Sequence, residues 1–364
     1  MSGHSKLVVS LSLMLCVCAG SARAQGVNAQ TARAVQPSVD AKETPAVTLG
    51  AARWQFKTGG SVYSTPVVAA GTVYFGSYDY SVYAADAASG QVRWRTKTGG
   101  RVIGAPAVAG GTVYVGSQDN RVYALDAATG QVKWKFKAVY AVSTTPVVAG
   151  ARLYVSATDG MLYALDAATG KEVWTFTVAR GAPTAPLVSG DVLFVGSAAG
   201  VQALDAQTGQ QKWLFKSAGA VVGAPVKAEQ VLYCGTLAGR LYAIDAATGQ
   251  ETWHTQVEGG LPFSPAAADG RIYFGGIGGT FYAADARAGR ELWRYNSEQG
   301  VTSAPTVAGA LVHFGSAKGL VALDAETGQP RWTFTTNAII TSTPTVHDGL
   351  IYFGGWDGTL YAVR

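Results

Sequence analysis

A tryptophan returns eight times along this chain, at Trp54, Trp94, Trp134, Trp174, Trp213, Trp253, Trp293 and Trp332, at intervals of 39 or 40 residues. A repeat of that length with no helical patterning is the mark of a propeller, in which each repeat is one small sheet that must stack on its neighbours to bury itself. The second unit shows how one period divides. "GAPAVAG" is a short apolar strand, "TVYVGS" follows a Gly-Gly turn, "RVYALDA" follows "QDN", and "QVKWKFK" alternates Lys133, Lys135 and Lys137 on one face with Trp134 and Phe136 on the other. The connections are too tight for crossovers, so each strand runs antiparallel to the last. Of the 364 residues only 14% are charged and 46 are glycine, which suits an all-β chain rich in tight turns.

Between the third and fourth strands lies the pattern A-x-D-x-x-T-G-x-x-x-W. An Asp here accepts N–H groups two and three residues on and so shapes the turn. The Gly supplies a positive φ, and the Trp four residues later is directed to the core or to the next blade. Asp86, Asp126 and Asp166, with Trp94, Trp134 and Trp174, are accordingly read as structural repeat residues. The carboxylates lie one per repeat, too far apart to share a cation, so no metal site is expected from them.

The two ends complete one another. The chain stops at "LYAVR", in the middle of the motif, and the missing half stands at the other terminus as "GAARW", with Gly50 four residues before Trp54. The expected fold is all-β: an eight-bladed propeller of four-stranded antiparallel blades over residues 50–364, its ring closed by the N-terminal strand joining the C-terminal blade. Residues 25–49 carry no repeat and read as a flexible lead. Residues 1–24 read as a signal peptide: Lys6, an apolar run, then Ala22-Arg23-Ala24 before the cut. Cys18 and Cys16 are the candidate positions for a lipid anchor, but Val17 and Leu15 precede them where lipidated signals carry a small residue. The expected location is therefore periplasmic or outer-membrane associated, with no transmembrane segment in the mature chain. Removing Lys6 and Arg23 leaves 26 basic against 23 acidic residues, a charge of +3, too mild to imply nucleic acid.

The motifs quoted, over residues 50–364, resemble the quinoprotein-type propeller repeats named after pyrroloquinoline quinone (PQQ). Within that group the length and the single exported domain are most similar to the BamB family of the outer-membrane β-barrel assembly machinery. That resemblance implies a non-catalytic, monomeric scaffold that binds a protein partner in the cell envelope. The alternative it leaves open is a small PQQ-dependent oxidoreductase or its binding subunit. The dehydrogenases of the group resemble one another in a vicinal Cys-Cys pair beside the quinone and in acidic or amide ligands for calcium. This chain has no Cys-Cys pair, so neither PQQ nor calcium is expected as a cofactor.

No catalytic set emerges from the residues. His313 takes the place of the tyrosines Tyr74, Tyr114, Tyr154 and Tyr273, His347 lies in the hairpin "HDG", and His254 points outward from an edge strand. Cys234 replaces an apolar strand residue and reads as a buried thiol. The basic runs "QVRWRTKTGGR" and "QVKWKFK" fit either exposed edge strands guarded by Lys and Arg or a polyanion site. Departures from the repeat are more informative. Asp79, Asp119, Asp159 and Asp357 share one hairpin position in blades 1, 2, 3 and 8. Trp356, Tyr78, Tyr80, Tyr63, Arg101, Arg121 and Tyr140 are the aromatic and Arg residues of the same sector, and they are the candidate partner-binding residues.

Overall fold

The computed structural model describes residues 47–48, 52–179, 181 and 183–364. The expected signal peptide, its cysteines and most of the lead 25–49 lie outside the described residues. Eight antiparallel sheets follow one another along the chain. Blade 1 is built from Val67–Ala69, Thr72–Ser77, Ser81–Asp86 and Val92–Lys97, and blades 2 to 7 repeat this order. Blade 8 takes three strands from the C-terminal end, Thr345–His347, Leu350–Gly354 and Thr359–Val363. Its fourth is Trp54–Lys57, antiparallel to Thr359–Val363 with Trp54 opposite Ala362 and Lys57 opposite Thr359.

First strands lie nearest the axis: those of blades 8, 1, 2, 3 and 4 adjoin in succession, as do those of blades 5, 6, 7 and 8. Blade 8 thus touches blades 7 and 1, and the ring is closed. Second and third strands are almost wholly buried, while the fourth alternates exposed and half-buried, as in Val132–Lys137. That is the pattern expected where only one face of an outer strand meets a neighbour. The core is shared between blades. Val82 and Ala84 of blade 1 pack with Val113, Val115, Tyr123 and Leu125 of blade 2. Tyr352, Leu360 and Ala362 of blade 8 pack with Val73, Phe75 and Tyr83 of blade 1, so the seam is sealed by the same apolar contact as every other junction.

The corner turns work as their residue types require. Asp126 Oδ1 accepts from the N–H groups of Ala128 and Thr129 at 3.1 and 3.0 Å and from the Thr129 hydroxyl at 3.0 Å. Gly130 has φ +72°, and a Cβ there would lie 2.6 Å from the Trp94 ring of the preceding blade. The glycine is needed both for its backbone conformation and for the close approach of the tryptophan.

Blade 7 differs. A fifth strand, Val47–Thr48, runs parallel to Pro330–Thr335, with Val47 opposite Trp332. The stretch read from sequence as a lead therefore ends in paired backbone. The physical reason is local. Blade 8 has no corner turn, because its third and fourth strands come from opposite ends of the chain, and the edge beside Trp332 is taken by the segment that leads into Trp54.

Candidate functional site

Main-chain hydrogen bonds sort the connections into two faces. Corner turns bond to the first hairpin of their own blade, as when Ala127 N–H donates to Gly111 O at 3.0 Å. The hairpins between second and third strands bond instead to the loops between blades: Tyr78 N–H to Ser61 O at 2.9 Å, Gln118 N–H to Arg101 O at 2.9 Å, Trp356 N–H to Ile339 O at 3.0 Å. The corner-turn face is nearly invariant, and the hairpin face carries the variable residues.

On the hairpin face, blades 8, 1 and 2 build a stacked ladder. Trp356 and Tyr78 occupy the same hairpin position in adjacent blades, and Tyr63, from the loop joining those blades, lies between them. The Tyr63 and Tyr78 rings stack with centroids 4.6 Å apart and planes at 15°, and Tyr63 lies 5.4 Å from Trp356. The Arg101 guanidinium closes the row, 4.7 Å above the Tyr78 ring. Such offset aromatic and cation–π contacts each add a little beyond area burial. The seam fixes the geometry. Val62 N–H donates to Gly355 O at 3.0 Å, the Ser61 hydroxyl to Trp356 O at 2.8 Å, and the Trp356 indole N–H to Thr341 Oγ1 at 3.1 Å.

The three rings are half-buried and Arg101 is exposed. Burial, reinforced by the adjacent Tyr78 and opposed by Arg101, pushes the Tyr63 phenol well above its ordinary range, and burial raises Tyr78 as well. Both hydroxyls thus stay protonated, and neither has a hydrogen-bond partner among the described residues. The row offers half-buried ring edges, two free donors and one cation.

The other candidates lie outside the ladder. Tyr80 is 46% exposed and sits at φ +65°, where blades 3, 5, 6 and 8 have glycine. Tyr140 is 55% exposed in the loop between blades 2 and 3, next to Val139 at 66%. Arg121 is drawn to Asp119 at 3.6 Å. The hairpin carboxylates are tied into the scaffold: Asp79 accepts from Gly59 N–H at 3.1 Å and from the Tyr83 hydroxyl at 2.5 Å, and Asp357 from the Tyr361 hydroxyl at 2.7 Å. Thr341, which receives the indole N–H, was not singled out from sequence, since a lone Thr in a loop carries no signal.

The vicinal cysteines of the quinoprotein-type dehydrogenases have no counterpart among the described residues. Cys234, the one cysteine among the described residues, is fully buried in the second strand of blade 5, and burial pushes its thiol up to about 12. No three His, Cys, Asp or Glu side chains cluster closely enough to hold a metal ion among the described residues.

Solved structures share this architecture. BamB from Moraxella catarrhalis matches with a TM-score of 0.76 and 20% identity over 86% of this chain and 96% of that one. The computationally designed Ika8 protein matches at 0.77 and 19% identity over 85% and 97%. The quinohemoprotein alcohol dehydrogenase ADHIIG from Pseudomonas putida HK5 matches at 0.71 and 18% identity over 86% and 75%. At such identities the likeness is one of fold, which hosts scaffolds, a design and enzymes alike. No curated protein matches the sequence. The family model described as outer membrane protein assembly factor BamB matches three successive stretches, residues 45–141, 137–261 and 238–364, which together span the propeller. On that agreement of sequence and fold across residues 45–364, the chain belongs to the BamB family of PQQ-type propellers.

Proposed function

We propose that this chain is an exported, non-catalytic propeller scaffold that binds a protein partner in outer-membrane protein assembly, and that it does so through the hairpin face of blades 8, 1 and 2. The observation that carries this reading is the ladder Trp356–Tyr63–Tyr78 capped by Arg101. Half-buried aromatics beside an arginine on a rigid frame are the composition of an interface hot spot. Family membership supports a place in the envelope. No helix among the described residues is long and apolar enough to cross a membrane. The quinoprotein alternative has only the likeness of fold behind it.

The test is capture of envelope proteins by the purified propeller after crosslinking in native envelope. Tyr78→Ala, Trp356→Ala and Arg101→Glu combined should weaken capture by more than about a hundredfold, at about 2 kcal/mol or more per anchor, with circular dichroism unchanged. Arg240→Glu with Ile277→Ala, on blades 5 and 6, should leave capture intact. Full capture by the triple variant would overturn the placement of the site.

A further inference from the structure

The charge of this protein is concentrated in one sector. Residues 54–137 hold nine Lys and Arg against four Asp, which leaves 19 of the 28 basic and 19 of the 23 acidic residues for the rest of the chain. Without residues 1–24 the chain has 26 basic and 23 acidic residues, so the +5 of the closing strand of blade 8 and of blades 1 and 2 exceeds the net charge of +3, and everything else sums to −2.

Four of the nine cations are paired with the four carboxylates, and the other five make up the excess. Arg93 pairs with Asp86 at 2.7 Å and Lys133 with Asp126 at 3.2 Å, both at corner turns, and Arg95 with Asp79 at 3.2 Å and Arg121 with Asp119 at 3.6 Å at the hairpins. Lys57, Lys97, Arg101, Lys135 and Lys137 have no carboxylate within ion-pair distance among the described residues. Their placement identifies the face. Lys57 and Lys97 donate to the carbonyl oxygens of the hairpin residues Asp357 and Asp79, the latter at 3.0 Å. Arg101 and Lys135 lie over the rings of Tyr78 and Tyr123, at 4.7 and 5.1 Å. Lys57, Lys97 and Lys137 are the last residues of the fourth strands of blades 8, 1 and 2. Blades 3, 5, 6 and 7 end the same strand with Thr177, Gln256, Asn296 and Thr335, and only blade 4, with Lys216, shares the lysine. An arc of unpaired cations thus borders the aromatic ladder.

Guarding a strand edge needs a charge of either sign, which the outer strands of blades 3 and 5 carry as Glu172 and Glu251 without any of these lysines. Edge protection alone leaves the restriction to one sector unexplained.

We infer that the hairpin face of blades 8, 1 and 2 recognises an acidic polypeptide segment: its Asp or Glu side chains meet Lys57, Lys97, Lys137 and Arg101, and an apolar or aromatic side chain between them packs against the outer edges of the Trp356–Tyr63–Tyr78 row. This rests on the site proposed above and specifies the chemistry of its partner. Complementary charge supplies encounter rate and discrimination, and the rings supply the anchor. The half-buried rings favour a polypeptide over an anionic membrane, because a lipid surface calls for rings that project.

The experiment measures fluorescence anisotropy of three probes with the mature propeller: a synthetic peptide alternating Glu with Leu and Tyr, its Lys-for-Glu counterpart, and vesicles containing phosphatidylglycerol. The Glu peptide should bind, weaken about tenfold or more when salt rises from about 50 to about 300 mM, and weaken similarly in Lys57→Glu/Lys97→Glu/Lys137→Glu. The Lys peptide should not bind. Equal binding of both peptides, binding of neither, or a triple variant within twofold of the parent overturns the inference, as does vesicle binding that the Glu peptide fails to compete. Envelope capture separates the two readings. Loss in the ladder variant with full retention in the lysine variant overturns the acidic partner and leaves the site standing. Full retention in both overturns the site itself.

Discussion

The indole N–H of Trp94, in the fourth strand of blade 1, donates at 2.9 Å to the main-chain carbonyl oxygen of Ala127, in the corner turn of blade 2. The same oxygen accepts from the Tyr74 hydroxyl at 3.1 Å, so two aromatics of one blade converge on one carbonyl of the next. Trp54 with Tyr352 on Ala87, Trp134 with Tyr114 on Ala167, Trp174 with Tyr154 on Ala206, Trp253 with Tyr233 on Ala286 and Trp293 with Tyr273 on Ala325 repeat this. The repeated motif is a clasp between blades. Its Asp shapes the turn, its Gly admits the ring, and its Trp reaches forward.

Breaking the clasp should be costly in proportion to its burial. Trp94→Ala, at a site only 8% exposed, should destabilise by about 3–5 kcal/mol. Gly130→Ala should cost about 2 kcal/mol, from a left-handed backbone and a Cβ directed into the Trp94 ring. Trp356→Ala, which removes a half-buried ring from the surface ladder, should cost about 1 kcal/mol. Thermal and denaturant melts read all three. A Trp356 loss larger than that of Trp94 would reverse the division between frame and site.

Closure rests on the strand Trp54–Lys57. Deleting residues 25–45 should leave the melt within a few degrees of the parent. Deleting residues 25–58 leaves Thr359–Val363 as an unpaired edge and uncovers Tyr352 and Leu360. That protein should aggregate or melt far lower, as light scattering during a thermal ramp would show. Equal melting of the two would argue against a closed ring.

His313 makes stability depend on pH. It stands where most blades have tyrosine, but blade 8 has no corner carbonyl for it to reach. It is 2% exposed against Trp332, and its Nδ1 has no hydrogen-bond partner. Burial lowers its pKa from 6.5 to about 4. The unfolded chain therefore takes up the proton first, and stability present above pH 6.5 is lost as pH falls towards 4. The loss should reach about 3 kcal/mol for this group. His313→Phe should flatten that part of the curve, and an unchanged slope between pH 6.5 and 4 would show that the imidazole is not held neutral.

Tyr80 should trade stability against binding. A tyrosine at φ +65° is strained by about 1 kcal/mol relative to the glycine or asparagine found at this position in other blades. Tyr80→Asn should raise the melting temperature by a few degrees and weaken capture of the partner. A variant that binds as well as the parent would place Tyr80 outside the interface.

Sequence alone determined the blade. Strand lengths, turn chemistry and the Trp period are local properties, written eight times over, so each copy checks the others, and the complementary half-motifs at the ends imply ring closure without any structure. The candidate residues Tyr63, Tyr78, Arg101 and Trp356 could also be chosen there, as breaks in a regular pattern. What the sequence could not express is which of them meet. Tyr63 and Trp356 are 293 positions apart and touch only because the N-terminal strand completes the last blade. Tyr140 and Arg121 looked equally eligible and lie elsewhere. Only the tertiary structure also showed that the tryptophans bond to the following blade, that Val47–Thr48 joins blade 7, and which lysines lack a carboxylate. Periodicity reports contacts made within a repeat. A site built where the ring closes is decided by the curvature that brings the two ends of the chain together.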